Sequence, residues 1–343
     1  MTKNVHSLDA EALATYLEAQ IEGFQGPLTA EKFSDGQSNP TFLISAKSGR
    51  YVLRRKPPGI LLPSAHAVDR EYRVLRALAD TDVPVARAYH LCEDDNVIGS
   101  MFYVMSFEQG RIFWDPALAD FSDIERGKVF DEMISVLAAM HSVDIDAVGL
   151  SDYGKPGNYF ERQMNRWSKQ YRASETTPID AMESLMDWLN ANIPADEQKT
   201  CLIHGDYRLD NVMLHEQQSK IIAVLDWELS TLGNPLADIA YFCMGLRLPK
   251  TAHSHGLAGV DREALGIPSE AEIVKRYCEL RGIEKIDNWH FYLAFSFFRL
   301  AAIAQGVAKR ALDGNASNEN AKQIGAMVIG LAQMALQVIQ DEK

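Results

Sequence analysis

The segment CLIHGDYRLDNVML, residues 201–214, places polar side chains inside apolar runs. Asp206 and Asn211 lie five residues apart in it, and a second apolar run, IIAVLDW, carries another carboxylate, Asp226. Phosphoryl transfer requires an acid that accepts a hydroxyl proton and ligands for a divalent cation, because its catalysis is mostly positioning and charge neutralisation. Magnesium takes one or two carboxylates from protein. The residue types therefore fit the requirements of phosphoryl transfer, and Asn211 and Asp226 suit the oxygen ligands that magnesium takes.

Length and charge limit the other possibilities. A chain of 343 residues predicts two lobes with ample core. Its formal net charge of -13 argues against binding to nucleic acid or to an anionic membrane, which a basic surface would favour. Four cysteines lie far apart without a CxxC pair, and the first residues lack a signal-peptide pattern. We therefore expect a protein of the reduced cytoplasm.

Strand patterns dominate the first part of the chain. TFLIS and RYVLR flank AKSG and predict a hairpin, HAVDREYRVLRALAD predicts a helix, and the segment up to Phe107 predicts two further strands. Beyond Gly110 the periodicity is mostly helical, with VMLH and IIAVLDW as the only predicted strands. AMVIGLAQMALQVIQ is shorter than the ~20 residues of a membrane span, so it predicts a helix packed on the protein.

The motifs together resemble a known family. HGDYRLDN followed by LDW is similar to the catalytic loop and metal-binding segment of the aminoglycoside phosphotransferase and choline kinase group, relatives of the protein kinases. The resemblance implies an α+β, two-lobed protein-kinase-like fold, with a small antiparallel-sheet lobe over residues 1–107 and a mainly helical lobe over residues 108–343. It also implies ATP and Mg²⁺ as cofactors, with Asp206 as the catalytic base and Asn211 and Asp226 on the metal.

A glycine-containing loop precedes the predicted hairpin. FSDGQSNPTFLI places Gly36, Ser38 and Asn39 between two strands, and successive backbone amides in such a loop can bind an anion. One glycine in a hairpin is usually only a turn. The resemblance makes this the nucleotide-binding loop, with Ser38 as an additional hydroxyl donor.

The family also expects a basic residue that reaches the nucleotide phosphates. In VLRRKP, alternate strand residues share a face, so Arg54 and Lys56 point one way and Arg55 the other. Alignment on the preceding apolar pair, Val52 and Leu53, favours Arg54 as this basic residue, where related kinases have lysine. Lys56 is the alternative. Glu71 occupies the place of the helix glutamate that orients this base; otherwise it is a solvated helix charge.

Other residues complete the resemblance to a kinase. MFYVMSFEQG is similar to the linker whose backbone binds adenine, which implies Ser106, Phe107 and Glu108 as the contact positions. For His204 we predict a structural hydrogen-bonding role. For Asp238 in NPLADIAYF we predict that its carboxylate ties down the catalytic loop.

The acceptor is less constrained by the sequence. NYFERQMNRWSKQY is basic and aromatic, so Tyr159, Arg162 and Arg166 are candidate acceptor contacts, although the same segment also fits an amphipathic core helix. VLRRKPPGILLPSAHAVDREYRVL resembles the kinase-like domain associated with acyl-CoA dehydrogenases. That resemblance implies a small hydroxyl acceptor, a hydroxy acid or hydroxyacyl-CoA, and a functional link to such a dehydrogenase. The alternatives are an aminoglycoside or amino-alcohol kinase, a nucleotide-binding scaffold or sensor, and a metal-dependent phosphoester hydrolase.

Overall fold

The computed structural model describes residues 8–33, 39–57, 66–195, 200–251, 255–313 and 321–341. Up to residue 111 its elements are α1 (Ala10–Gln20), β1 (Leu28–Lys32), β2 (Thr41–Ala46), β3 (Gly49–Arg55), α2 (Val68–Leu78), β4 (Ala88–Cys92), β5 (Phe102–Ser106) and β6 (Gly110–Arg111). The elements that follow are α3 (Asp123–His141), α4 (Tyr159–Ser174), α5 (Asp180–Ala191), β7 (Cys201–Ile203), β8 (Val212–His215), β9 (Ile221–Val224), β10 (Thr231–Gly233), α6 (Leu236–Arg247), α7 (Glu270–Arg281), α8 (Trp289–Leu312) and α9 (Ala321–Gln340).

The chain forms two compact units that do not follow chain order. The first comprises the described residues of Met1–Ile112, Asp146–Leu150 and Asn211–Ser230. The second comprises those of Phe113–Ile145, Ser151–Asp210 and Thr231–Lys343. The chain therefore passes from the second unit to the first inside the HGDYRLDN segment.

The first unit is built on a five-stranded antiparallel sheet with the strand order β1-β2-β3-β5-β4. β2 and β3 form the predicted hairpin, whose last pair is Ala46 opposite Gly49. Alternate residues of β2, Phe42 and Ile44, are buried in a core that includes Leu13 and Leu17 of α1. The period-2 pattern of TFLIS is thus the side-chain alternation of a sheet with one face on the core.

A helix and a small second sheet complete this unit. α2 buries Val74, Leu75 and Leu78, and Glu71 lies buried on the same helix. The second sheet has the strand order β6-β8-β9, and Val212 of β8 pairs with Val224 of β9. Because the residue before β8 is Asn211 and the residues after β9 include Asp226, this pairing brings the two predicted metal ligands to one end of the sheet.

The second unit is mainly helical. Reciprocal capping boxes begin α3 at Ser122 with Glu125 and α7 at Ser269 with Glu272. α8 is its central helix, with most residues from Phe291 to Gly306 buried. The fold class is therefore as predicted, an antiparallel-sheet N-terminal part followed by a mainly helical remainder.

Among the described residues, two helices are long and apolar enough to cross a membrane by length and composition alone. In α8 the most apolar window is 78% buried, which is typical of the core helix of a soluble protein, whereas for residues 323–340 the buried share is 33%. α9 packs along α8 and buries Val328, Leu331 and Ala335. The predicted C-terminal helix packed on the protein is confirmed.

The prediction of only two strands beyond Gly110 is wrong. The structure adds β6, which pairs with β8, and β7 and β10, which pair with each other. Strands of two or three residues are too short to show a period, so the pattern could not reveal them. α6 was not predicted either, because it is buried on nearly every face and has no amphipathic signal.

Candidate active site

A buried ion pair lies in the first unit between β3 and α2. Arg54 Nε lies 2.8 Å from Glu71 Oε2. Glu71 also accepts hydrogen bonds from the hydroxyl of Tyr103 at 3.1 Å and from the side-chain amide of Asn39 at 2.9 Å. Burial alone would lower the pKa of Arg54, but Glu71 and its neighbours raise it above its usual value. Glu71 thus holds Arg54 in place, as the resemblance implies, and contact of Arg54 with nucleotide phosphates stays a prediction.

Charges in this part of the unit do not balance. Arg54 Nη2 lies 3.2 Å from Asp226 Oδ1 and 4.0 Å from Glu228 Oε2, in addition to its contact with Glu71. Burial, opposed by Arg54 and reinforced by the other two acids, raises the pKa of Glu71. One guanidinium therefore serves three carboxylates, and the surplus negative charge favours a bound cation.

Asn211 and Asp226 are brought together by the small sheet. The backbone N–H of Leu225 donates to the carbonyl of Asn211 at 2.8 Å, so Asp226 is the next residue along the chain. Asp226 has φ +57°, a left-handed conformation that is uncommon for any residue except glycine and is concentrated at functional sites. An amide and a carboxylate so placed fit the oxygen ligands that Mg²⁺ prefers.

The rival basic residue, Lys56, has a different partner. Its Nζ lies 3.6 Å from Asp69 Oδ1, also on α2. Arg55 points to the other side of the strand and donates to the carbonyl of Ile98. The predicted alternation is therefore confirmed, and the ion pair with Glu71 favours Arg54 over Lys56 as the oriented base.

The predicted nucleotide-binding loop is described only at its end. Gly36 and Ser38 lie outside the described residues. Asn39 is buried, and besides its bond to Glu71 its Oδ1 lies 3.0 Å from His66 Nδ1. Its side chain thus supports Glu71, and direct contact with nucleotide stays a prediction.

The predicted linker residues are placed as follows. Ser106 ends β5 and exchanges backbone and side-chain hydrogen bonds with Arg87, and its hydroxyl donates to Glu108. The Phe107 ring lies 4.3 Å from the guanidinium of Arg50. Their contacts with adenine stay a prediction.

The HGD loop is held in the second unit by a buried carboxylate. Asp238 on α6 accepts hydrogen bonds from the backbone N–H groups of His204 at 2.6 Å and Gly205 at 2.9 Å. His141 Nε2 lies 3.3 Å from the same carboxylate. Burial would raise the pKa of Asp238, but the hydrogen bond to His141 and the other donors lower it. The predicted role of Asp238 is confirmed.

His204 completes the turn of this loop. It is fully buried, and its Nδ1 accepts the backbone N–H of Asp206 at 3.2 Å. The side chain therefore fixes the backbone next to the candidate base, the structural role that the sequence predicted.

Two residues near Asp206 were not singled out from the sequence. Tyr241 lies in the field of Asp206, since burial together with this carboxylate raises the tyrosine pKa. Arg299 donates from Nη2 to the carbonyl of Gly205 at 2.6 Å. A lone charge in the apolar run FYLAFSFFRLAAIA was the available signal for Arg299, because a buried charge requires partners.

An apolar cavity of about 240 Å³ lies beside these residues. Arg208, Asp210 and Tyr241 supply polar groups to its lining, and the exposed Trp114 also borders it. The remaining walls are mainly apolar side chains from α3, α6, α8 and α9, among them Phe130, Met133, Phe242, Leu300, Ala304 and Leu331. The cavity can hold an apolar molecule, and Tyr241 in its wall is the residue whose pKa the Asp206 carboxylate helps to raise.

The candidate acceptor residues of α4 lie elsewhere in this unit. Tyr159 is buried, and burial raises its pKa to about 12. Arg162 donates to the carbonyls of Lys155 and Pro156. The guanidinium of Arg166 lies 5.2 Å from the ring of Trp167. None of the three is among the residues that line the apolar cavity, and their contact with the acceptor stays a prediction.

Comparison with known proteins gives three related results. The model of the phosphotransferase enzyme family matches residues 29–270. Acyl-CoA dehydrogenase family member 10 of Mus musculus is 46% identical over 331 residues, which are 96% of this chain and 31% of that protein. A provisionally classified aminoglycoside phosphotransferase from Ralstonia eutropha has a crystal structure with a TM-score of 0.91 and 49% identity, over 98% of this chain and 99% of that one.

The matching proteins differ from this chain in length and in sequence identity. The chain spans less than half the length of the curated relatives that it matches. Spectinomycin phosphotransferase APH(9)-Ia, solved with ADP and spectinomycin, has a TM-score of 0.63 at 15% identity, over 97% of this chain and 99% of that chain. At that identity the likeness concerns the fold alone.

Proposed function

Because the chain belongs to the phosphotransferase enzyme family, we propose that it transfers the γ-phosphoryl group of ATP to the hydroxyl of a hydroxyacyl acceptor, either a hydroxy acid or its CoA thioester. The observation that carries the acceptor class is the apolar cavity bordered by Tyr241, the tyrosine whose pKa the Asp206 carboxylate helps to raise. A hydrocarbon chain gains roughly 0.8 kcal/mol for each CH₂ group that it buries. An acceptor with an apolar body therefore suits this cavity.

The same lining argues against a polycationic acceptor. Among the described residues that line the cavity, Asp210 is the single carboxylate, and Arg208 pairs with it. An aminoglycoside carries several ammonium groups and requires several acids. The names of the curated relatives, which are acyl-CoA dehydrogenase family members, also favour an acyl acceptor.

The proposed reaction needs one base, which accepts the proton of the acceptor hydroxyl. Asp206 accepts the acceptor hydroxyl proton as that oxygen bonds to the γ-phosphorus and the bond to the β,γ-bridging oxygen breaks, releasing ADP. His204 and Asp238 keep Asp206 in position through the backbone of the loop. Tyr241 orients its carboxylate.

The nucleotide is assigned to the first unit. Arg54 would contact the phosphates, and its ion pair with Glu71 supports this assignment. Asn211 and Asp226 would hold Mg²⁺, which when bound neutralises phosphate charge. The surplus of carboxylates around Arg54 supports this assignment, since a bound cation relieves their repulsion.

The test is acceptor-stimulated ADP production. We would screen hydroxyacyl-CoAs of increasing chain length, free hydroxy acids, amino alcohols and aminoglycosides with ATP and magnesium, and identify the phosphorylated product by mass spectrometry. Asp206→Asn should lower turnover by about 10²- to 10⁴-fold, as expected for loss of a positioned base. The matched control is Asp187→Asn, at an exposed carboxylate of α5.

The outcomes separate the alternatives. Stimulation by hydroxyacyl compounds, lost in Asp206→Asn and kept in Asp187→Asn, supports the proposal. Stimulation only by amino alcohols or aminoglycosides would show that the acceptor belongs to that class instead. Nucleotide binding without turnover under any condition would favour a scaffold or sensor.

A further inference from the structure

A buried arginine lies directly beneath the catalytic loop. Arg299 on α8 is 8% exposed, and its guanidinium carbon lies 5.6 Å from the ring centroid of Trp167 and 5.1 Å from that of Tyr241. A buried cation is costly unless its partners replace water. Here two aromatic faces and a carbonyl do so, at a position where a methionine or leucine would pack at lower cost.

Arg299 contacts Gly205, the chain neighbour of Asp206, and Tyr241, which interacts with Asp206. Its Nη2 donates to the carbonyl of Gly205, the residue before Asp206, at 2.6 Å. Gly205 has φ +83°, so the direction of the chain into Asp206 depends on how this peptide is held. Tyr241, whose ring stacks on Arg299, also interacts with Asp206, since this carboxylate and burial together raise the tyrosine pKa. Arg299 therefore contacts the backbone leading into Asp206 and a side chain that interacts with its carboxylate.

We propose that Arg299 is a positioning residue for phosphoryl transfer, which acts through Gly205 and Tyr241 to aim the Asp206 carboxylate at the acceptor hydroxyl. The proposal rests on the proposed function, because it assigns a role within that reaction. Tyr241 also lines the apolar cavity, so an acceptor in the cavity packs against the same side chain that aims the base.

The chemistry of the site explains why arginine is required. A planar guanidinium can stack on two aromatic rings and still donate in its plane to a carbonyl. A lysine ammonium in the same place keeps the charge and a donor but has no flat face for the rings. The two roles can therefore be separated by substitution.

The experiment compares Arg299→Met, Arg299→Lys and a matched control, Arg126→Met. Arg126 is also a buried arginine of the second unit, and it donates to the carbonyls of Leu118 and Leu265. For each purified full chain we would measure kcat, the KM for ATP, the thermal midpoint, and amide hydrogen exchange of the segment 203–207. Assays would be run well below the lowest thermal midpoint.

Arg299→Met should lower kcat about 100-fold with KM for ATP within twofold of wild type, because misplacement of a reacting group by about 1 Å costs about that factor. The kcat of Arg299→Lys should be about tenfold higher than that of Arg299→Met, since lysine retains a donor. Exchange in the segment 203–207 should be faster in Arg299→Met only. Arg126→Met should lower the thermal midpoint and leave kcat unchanged.

A double variant tests the route through Tyr241. If Arg299 acts through this tyrosine, Arg299→Met combined with Tyr241→Phe should lower kcat by less than the product of the two single effects. Independent, multiplicative effects would overturn this route.

Three other results would overturn the proposal: a kcat of Arg299→Met within threefold of wild type, an equal fall in Arg126→Met, or unchanged exchange at 203–207. Failure of the proposed function would look different, because the wild type itself would then phosphorylate none of the acceptors. In that case the variants are compared on magnesium-dependent hydrolysis of ATP by water, and an undiminished rate in Arg299→Met overturns the role of Arg299.

Discussion

Substitution of Asp238 by asparagine should destabilise the catalytic loop strongly while changing the size of the side chain very little. The carboxylate accepts the N–H groups of His204 and Gly205, at 2.6 and 2.9 Å, with one oxygen each. Asparagine retains one acceptor oxygen and replaces the other with an amide donor, which would face a backbone donor. One of the two N–H groups therefore loses its partner.

The size of the effect follows from these contacts. A hydrogen bond to a charged group contributes about 1.5–3 kcal/mol, and a buried donor left without a partner costs about 1–3 kcal/mol more. The side chain is 1% exposed, so water does not replace the lost acceptor. We expect Asp238→Asn to lower the free energy of opening of the loop by about 3 kcal/mol.

Hydrogen exchange of the His204 and Gly205 amides measures this free energy directly, and Asp187→Asn is the control. The difference in this opening free energy between Asp238→Asn and wild type should also depend on pH. Because the folded-state pKa of Asp238 is lowered from 3.8, its contribution is fully present above pH 3.8 and is lost as the pH falls through the folded-state value. The reasoning would be refuted if Asp238→Asn lowered the opening free energy by less than 0.5 kcal/mol, which is about a twofold change in exchange rate. It would also be refuted if the difference between variant and wild type persisted in acid.

Four further predictions follow from the described contacts. Glu71→Gln removes the charge that holds the guanidinium 2.8 Å away, so ATP affinity by calorimetry should fall about tenfold, or 1.4 kcal/mol. Gly110→Ala would place a Cβ 2.4 Å from the Leu214 carbonyl and should lower thermal stability by about 1–3 kcal/mol. Burial lowers the pKa of His141 below 6.5, so urea stability should decline from pH 6.5 downward, and less in His141→Gln. Ala304→Phe fills the apolar cavity and should lower kcat/KM for long-chain acceptors about tenfold without changing the KM for ATP.

Local patterns were sufficient for much of the first unit and for choosing the polar residues of the loop as candidates. The hairpin of β2 and β3 follows from alternation in TFLIS and RYVLR, and the same alternation separates Arg55 from Arg54. Asp206, Asn211 and Asp226 are recognisable because polar residues in apolar surroundings require a reason. Each of these inferences depends on neighbours within a few positions along the chain.

Contacts between distant segments could not be predicted in this way. Arg299 reaches Gly205 across 94 positions, and no local period records such a pairing. The acceptor contacts predicted on α4 stay a prediction. That other helices line the apolar cavity could not be foreseen, because amphipathic periodicity tells which face is buried but not what it is buried against. β7 and β10 exist because each supplies the other's hydrogen bonds.

The six residues from Asp206 to Asn211 connect two kinds of site that the chain builds separately. In the first unit Arg54 lies among three acids, a setting for a charged nucleotide and its cation. In the second unit Arg299 supports the backbone next to Asp206, and aromatic and aliphatic side chains line an apolar cavity bordered by Tyr241. Asp206 is fixed from Asp238, whereas Asn211 is fixed by the backbone of Leu225. Loosening the anchor of Asp206 should therefore lower turnover with little change in nucleotide affinity, because it misplaces the proposed base. Loosening the anchor of Asn211 should instead weaken the binding of magnesium and nucleotide, because Asn211 is a proposed metal ligand.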